Sequence, residues 1–378
     1  MIYLDNAATT RMRPEAREAM EPFLDADYGN ASSLHAAGRR ARRALEDARE
    51  TVASSLGADP KEIVFTSGAT ESNALAIAGA AEALRSRGDH AITTAIEHPS
   101  VLENFAHLEK QGWRVTRVPV DGHGLVDPAQ VAAAMTPRTA LVSVVAVNSE
   151  VGTMQPLAAI RKVSTGAVLH TDAAQAIGKV AVNLRDVDLL TFSAHKIHGP
   201  KGAGGLWVRK GTPVAAQLVG GGQEFERRAG TENVAGAVGL AAAMRLACSG
   251  RERDAAHMES LRERLRAGLE RLGGVRIHGH PERRAPHILN VAFEGVEAES
   301  LILSLDAAGV CVSTGSACAS MSLVPSHVLK SMGIPAELAR GSLRFSLSIL
   351  TTEAEIDGAL AILPAVLSRL RKTVPVAR

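Results

Sequence analysis

Lys196 stands in the stretch Thr191-Phe192-Ser193-Ala194-His195-Lys196-Ile197-His198-Gly199, directly after an apolar run from Val187 to Phe192. A lysine held at the end of a core strand is desolvated. Its amine pKa falls, and the bare amine can form a Schiff base with an aldehyde. Upstream, a second apolar run, Ala167-Val168-Leu169-His170-Thr171, ends on the carboxylate of Asp172. Alone, Lys196 reads as a surface lysine and Asp172 as a helix N-cap. Together they are the pair that pyridoxal phosphate requires: an amine for its aldehyde, and a carboxylate that keeps the pyridine nitrogen protonated so that the ring accepts electrons.

Two more residues carry chemistry. Cys318 lies in Gly315-Ser316-Ala317-Cys318-Ala319-Ser320, a small-residue run that reads as an exposed, mobile loop. Thiolate nucleophiles need such exposure, although an isolated exposed cysteine is usually accidental. Arg344 lies in the strand-like run Ser342–Leu347. Its guanidinium fork suits the carboxylate of an α-amino acid, with a surface ion pair as the plain alternative.

These residues need elements to hold them. Two strands that each end in a reactive residue fit the rule that ligands of open α/β sheets lie beyond the carboxyl ends of the strands. Strand Glu62–Thr66 runs into Ser67-Gly68-Ala69-Thr70-Glu71-Ser72-Asn73, which opens a helix to about Arg85. A small-residue turn into a helix N-terminus can cradle phosphate, or be a capping turn with no ligand. Ala91–Ile96 is a strand that leads into Glu97 and His98, followed by helix 100–111 and strand 113–118. Strands are also expected at Ala140–Val147 and Gly204–Val208, and helices at Arg17–Leu24 and Gly38–Leu56. The β–α rhythm implies a mostly parallel sheet.

The loop 28–35 reads as a polar turn, and Gly220–Thr231 as a glycine-rich, basic loop. Composition shifts near residue 250, where Arg251–Leu272 begins a charged amphipathic helix. Strands at 275–278, 288–293 and 342–347 and helices at 297–307 and 352–371 complete an α+β unit, to which residues 1–14 return. The expected division is 15–250 for a large domain, and 1–14 with 251–378 for a small one carrying the cysteine loop. Cys311 falls in an apolar strand and reads as packing.

The chain has 378 residues and a net charge of +2. No basic block or aromatic–basic interleaving points to nucleic acid. No unbroken apolar run is long enough for a bilayer, and Met1–Asp5 lacks the pattern of a signal peptide. Three cysteines, Cys248, Cys311 and Cys318, read as thiols of a reducing cytoplasm.

His170-Thr171-Asp172-Ala173-Ala174-Gln175, with Ser193-Ala194-His195-Lys196-Ile197-His198-Gly199-Pro200-Lys201-Gly202, resembles the cysteine desulfurases of the NifS/IscS group, within the class V aminotransferase-like enzymes. The resemblance runs from Tyr3-Leu4-Asp5-Asn6-Ala7-Ala8-Thr9-Thr10 to Ser342–Leu347 and includes Ser316–Ser320. It implies the α/β fold of type I pyridoxal phosphate-dependent transferases, with a mainly parallel seven-stranded sheet flanked by helices and a smaller α+β domain.

The resemblance also implies roles. Ala69, Thr70, Ser193 and His195 hold the cofactor, with Thr231 reaching the phosphate in the other subunit of a homodimer. His98 stacks on the ring and shuttles protons. Asp172 meets the ring nitrogen, Gln175 the ring oxygen, and Lys196 the aldehyde. Asn30 and Arg344 bind the substrate carboxylate. Cys318 takes sulfur from L-cysteine as a persulfide, releasing alanine, and serves as a transient iron–sulfur ligand. An acceptor or scaffold protein then takes the sulfur for iron–sulfur clusters or for tRNA and cofactor thiolation. The chain departs from the family at Ala31 (usually proline), Ser149 (usually asparagine), Ala319 (often threonine) and Ser348–Leu350. Selenocysteine lyase, a class V aminotransferase and a silent sulfur carrier are the rival readings.

Overall fold

The computed structural model describes residues 1–315 and 326–373. Among them are twelve strands: β1 (Ile2–Tyr3), β2 (Ile63–Thr66), β3 (His90–Thr94), β4 (Arg114–Val118), β5 (Thr139–Ser143), β6 (Val168–Asp172), β7 (Leu189–Ser193), β8 (Gly204–Val208), β9 (Val275–His278), β10 (Ile288–Phe293), β11 (Val310–Cys311) and β12 (Ser342–Ser346). Seven form one sheet in the order β2-β8-β7-β6-β5-β3-β4. Strands β4, β3, β5, β6 and β7 are parallel, and β8 runs antiparallel to both β7 and β2.

The apolar runs form this sheet because both of its faces are covered. Side chains alternate between two cores along each strand. Ile92, Val142, Leu169, Leu190 and Trp207 enter one core with helices Ala36–Leu56 and Val234–Ser249. Their neighbours Ala91, Leu141, Val168, Leu189 and Leu206 enter the other with helices Ala69–Leu84 and Pro99–Lys110. Gly204 lets the turn before the phosphate-type helix lie against β8. A Cβ there would come within 2.6 Å of the Gly68 Cα.

A further core joins Leu4 to Met258, Leu265, Leu289, Phe293, Leu343, Phe345 and Leu363. It packs helices Arg251–Glu270, Ala298–Ala307 and Glu353–Thr373 on the antiparallel sheet β12-β10-β9. β1 pairs in parallel with β11 beside it. Apart from Leu4, the buried members of this core are drawn from residues 258–367.

Several elements depart from expectation. Strand β5 ends at Ser143 and not Val147, yet Val144 and Ala146 still donate to the carbonyls of His170 and Asp172. The first helix starts at Pro14, where proline fits the first turn, and Glu21–Leu24 is a separate 3-10 turn. The helix Val234–Ser249 is unannounced in the sequence reading. Cys311 is only half-buried, with its thiol 4.0 Å from Asp306, so it is not a core packing residue.

Candidate active site

The 3-10 turn Ala194–Lys196 follows β7 directly, and β6 ends on Asp172. Pairing Asp172 with Thr191 sets these ends side by side at the carboxyl edge of the sheet. There a cavity of about 770 Å³ opens. It is lined by Ala69, Thr70, His98, Asp172, Gln175, Ser193, His195, Lys196 and Arg344, so nine of the candidate residues meet in one place. Asn30 and Thr231 do not line it. Asn30 is exposed in a turn, where its Oδ1 accepts the Ser32 N–H at 2.8 Å. Thr231 is exposed at a separate cavity of about 250 Å³, beside Ser67, Gly202 and Arg228. Cys318 lies outside the described residues. Gly315 and Ser326, the described residues that flank it in the chain, both line the large cavity.

Lys196 Nζ donates to the carbonyls of Ala7 at 2.6 Å and Ala8 at 2.7 Å. The N-terminal segment therefore forms one wall of the site, which no side-chain motif announces. Below Lys196, the buried Lys179 donates to the Lys196 carbonyl at 2.9 Å, and burial pulls its pKa down to about 7. Burial and the nearby Lys196 also pull His195 down to about 4, so its ring is neutral at pH 7.

Asp172 is buried, and its carboxylate accepts from the Ala174 N–H at 2.9 Å and from Asn73 Nδ2 at 2.8 Å. Gln175 donates from Nε2 to the Ala7 carbonyl at 2.9 Å, and its Oε1 lies 3.0 Å from His287 Nε2. His287 is fully buried, and desolvation holds its pKa well below the usual histidine value. A neutral His287 therefore donates from Nε2 and fixes which way the Gln175 amide points. Neither Asn73 nor His287 was singled out from the sequence, because each acts through another residue.

His98 caps helix Pro99–Lys110. Its pKa is lowered, chiefly by burial, with Asp172 opposing and Lys196 and His327 adding to the fall. The adjacent Glu97 is fully buried, and desolvation raises its carboxyl to about 8. His327 lies 2.9 Å from the Glu97 carbonyl, and Ser326 donates to Glu150, whose pKa burial raises. These contacts hold Ser326 and His327 against Glu150 and Glu97.

Arg344 is buried on β12. Its Nη2 meets Asp5 Oδ1 at 2.8 Å, and Nη1 donates to the carbonyls of Ser149 at 2.9 Å and Gly315 at 3.0 Å. The buried Nε has no hydrogen-bond partner among the described residues. Ser149 lines the cavity where the family has asparagine. Asn148 does not replace it, since its amide is used by the Ile96 carbonyl and by the N–H groups of Glu150 and Val151.

The donor set fits pyridoxal phosphate. The helix Ala69–Leu84 points its N-terminus at the cavity after Gly68, whose φ of 154° admits glycine. The Ser193 hydroxyl is buried with no partner among the described residues, as an oxygen awaiting a ligand would be. A lysine, a carboxylate and an amide complete the set.

The class-V aminotransferase pattern matches residues 2–358. The cysteine desulfurase IscS of Dictyoglomus turgidum is 45% identical over 99% of this chain and 96% of its own length. Among solved structures, a NifS-like protein superposes with a TM-score of 0.92 at 40% identity, covering 98% of this chain and all of that one. SspA, solved in complex with cysteine, gives a TM-score of 0.82 at 34% identity over 93% of this chain and 100% of that one.

Proposed function

The chain belongs to the class-V aminotransferase family, among its cysteine desulfurases, and from that premise we propose how its residues share the work and where the sulfur goes. The observation that carries this reading is the meeting of Lys196, Asp172, Gln175, His98 and Arg344 in one cavity. Pyridoxal phosphate, when bound, supplies an aldehyde that joins an amine and a ring that accepts electrons from a carbon acid.

Ala69, Thr70, Ser193 and His195 hold the phosphate end, and Lys196 receives the aldehyde. Asp172 keeps a proton on the ring nitrogen. Gln175 donates its second Nε2 hydrogen to the ring oxygen, since Ala7 takes the first and His287 fixes the amide. Arg344 binds the carboxylate of L-cysteine. Lys196 Nζ takes the Cα proton and returns it when alanine leaves. The Cys318 thiolate attacks the substrate sulfur. Its S–S bond forms as the Cβ–S bond breaks; the bond pair stays with Cβ, which takes up the proton that Cys318 lost and becomes the methyl of alanine. Cys318 keeps the sulfur as a persulfide, available to an acceptor or iron–sulfur scaffold protein. In that transfer it is a transient iron–sulfur ligand.

We further propose a cytoplasmic homodimer. Leu218, Val219 and Phe225 are 50%, 82% and 45% exposed on the loop that leads to Thr231. A second copy would cover them and bring Thr231 to its neighbour's phosphate. The division into 15–250 and 1–14 with 251–378 belongs to the same reading, supported by the separate core around Leu4. Among the described residues, no helix is long and apolar enough to cross a membrane.

The deciding experiment adds the vitamer to purified protein and then supplies L-cysteine. A visible absorption band, alanine release and a persulfide on Cys318 are expected. Cys318→Ala should keep the band and lose the persulfide. A colourless protein, or parental alanine release by Cys318→Ala without added reductant, would refute the scheme. Transamination of a keto acid would place the chain with the aminotransferases instead.

A further inference from the structure

A chain of hydrogen bonds with a readable direction runs from Asp172 to His98. Asn73 is fully buried, and its Nδ2 lies 2.8 Å from Asp172 Oδ2 and 2.9 Å from Ser100 Oγ. The amide nitrogen must face the carboxylate, because an amide oxygen there would repel it. Asn73 therefore donates to Ser100 as well as to Asp172. The Ser100 hydroxyl, having accepted that bond, has one proton left to give. Its remaining partner is His98 Nδ1, at 2.8 Å. The Ser100 backbone N–H also donates to His98 Nδ1, at 3.1 Å, as the cap of the following helix. A backbone N–H cannot reverse its role.

Two donors thus converge on Nδ1, which must be bare. Burial favours the uncharged ring. A neutral imidazole with a bare Nδ1 carries its proton on Nε2. Among the described residues, nothing hydrogen-bonds to Nε2, and the ring lines the cavity.

We propose that Ser100, oriented by Asn73, locks His98 as the Nε2–H tautomer, so that His98 serves the reaction as a hydrogen-bond donor and not as a proton shuttle. Loss of the Nε2 proton would leave an imidazolate, and uptake of a second proton at Nδ1 would break the helix cap. His98 thus offers a fixed N–H to negative charge developing on the substrate. Proton removal stays with Lys196. Asn73 and Ser100 are positioning residues, with Asp172 as the anchor of their polarity. The role toward substrate rests on the function proposed above; the tautomer does not.

The test is nitrogen NMR on the full chain with labelled histidine, with and without pyridoxal phosphate, using His98→Gln only to assign the signal. Near neutral pH, the His98 Nε2 resonance should be of the protonated type and Nδ1 of the bare type, in both samples. A proton on Nδ1, or one on each nitrogen, overturns the proposal. Ser100→Ala keeps the backbone donor, so the helix start survives. With one of the two donors to Nδ1 gone, it should show a minor Nδ1–H population and a kcat lower by about tenfold, part of the roughly 100- to 1,000-fold that one preorganised hydrogen-bond donor contributes. Ser100→Thr restores a hydroxyl and should restore both readouts. An unchanged spectrum and kcat in Ser100→Ala would remove the positioning role. Absence of a visible band with the vitamer would instead sink the cofactor reading, while the tautomer is still read in the cofactor-free sample.

Discussion

Two peptide carbonyls, Ala7 and Ala8, hold the amine on which the chemistry turns. Lys196→Ala should leave the fold intact and abolish both the visible band and turnover, checked by absorbance alongside thermal unfolding. Arg344→Lys replaces a rigid fork with a single ammonium. Losing one charged hydrogen bond of about 1.5–3 kcal/mol should raise KM for L-cysteine roughly 10- to 100-fold, with the smaller effect on kcat, read by steady-state kinetics. Lys196 and Asp172 were legible in the sequence because each ends an apolar run. Asp5, Asn73, Ser100 and His287 were not. Asp5, Asn73 and His287 act through contacts that span 99 to 339 positions of the chain, and nothing local records such a contact. Ser100 meets His98 two positions away, but Asn73, which orients it, lies 27 positions off. Ala7 and Ala8 were invisible for another reason: they contribute carbonyls, which every residue has.

The loop Gly220–Thr231 shows how an element can be held against its own backbone preference. Glu224, Phe225 and Glu226 all have φ between 46° and 63°, a region that costs non-glycine residues energy. The buried Glu224 carboxylate clamps them. It meets both terminal nitrogens of Arg49, at 2.7 and 2.8 Å, and accepts from the Phe65 N–H at 2.7 Å. Glu224→Ala would take from the buried Arg49 its two-point partner, leaving only Glu46 at 3.4 Å and the Ile63 carbonyl, a loss of at most roughly 3–5 kcal/mol. Urea unfolding should show that loss, and sedimentation should show weaker self-association. The sequence marked this loop as glycine-rich, but not the clamp, because Arg49 sits 175 positions away. The helix Val234–Ser249 escaped for the opposite reason. It buries Val234, Ala235, Gly236, Ala237, Gly239, Leu240, Ala241, Ala243 and Met244. A helix of small residues buried on nearly every side shows no amphipathic stripe to read.

For the whole molecule, buried histidines set the acid limit of stability. Burial lowers His170, His198 and His278 from 6.5 to about 4. Between those values the unfolded chain binds protons that the fold refuses, so stability should fall as pH drops from 6.5 toward 4. Each histidine adds up to about 1.4 kcal/mol per pH unit. Urea midpoints across that range should fall more steeply than one titrating group allows, and His170→Gln should shallow the slope. The sheet and its reactive strand ends were legible because both depend on runs of adjacent residues. The closure of the site was not. Asn6 bonds the Ser346 carbonyl across 340 positions, so the two ends meet only after the sheet between them has been made. At roughly 5–20 residues per second, residues 4–7 wait roughly 20–70 s for Arg344 and Ser346. The arginine that receives the substrate carboxylate is therefore made long after the residues that hold the cofactor, so a growing chain acquires its place for the vitamin well before its grip on the amino acid.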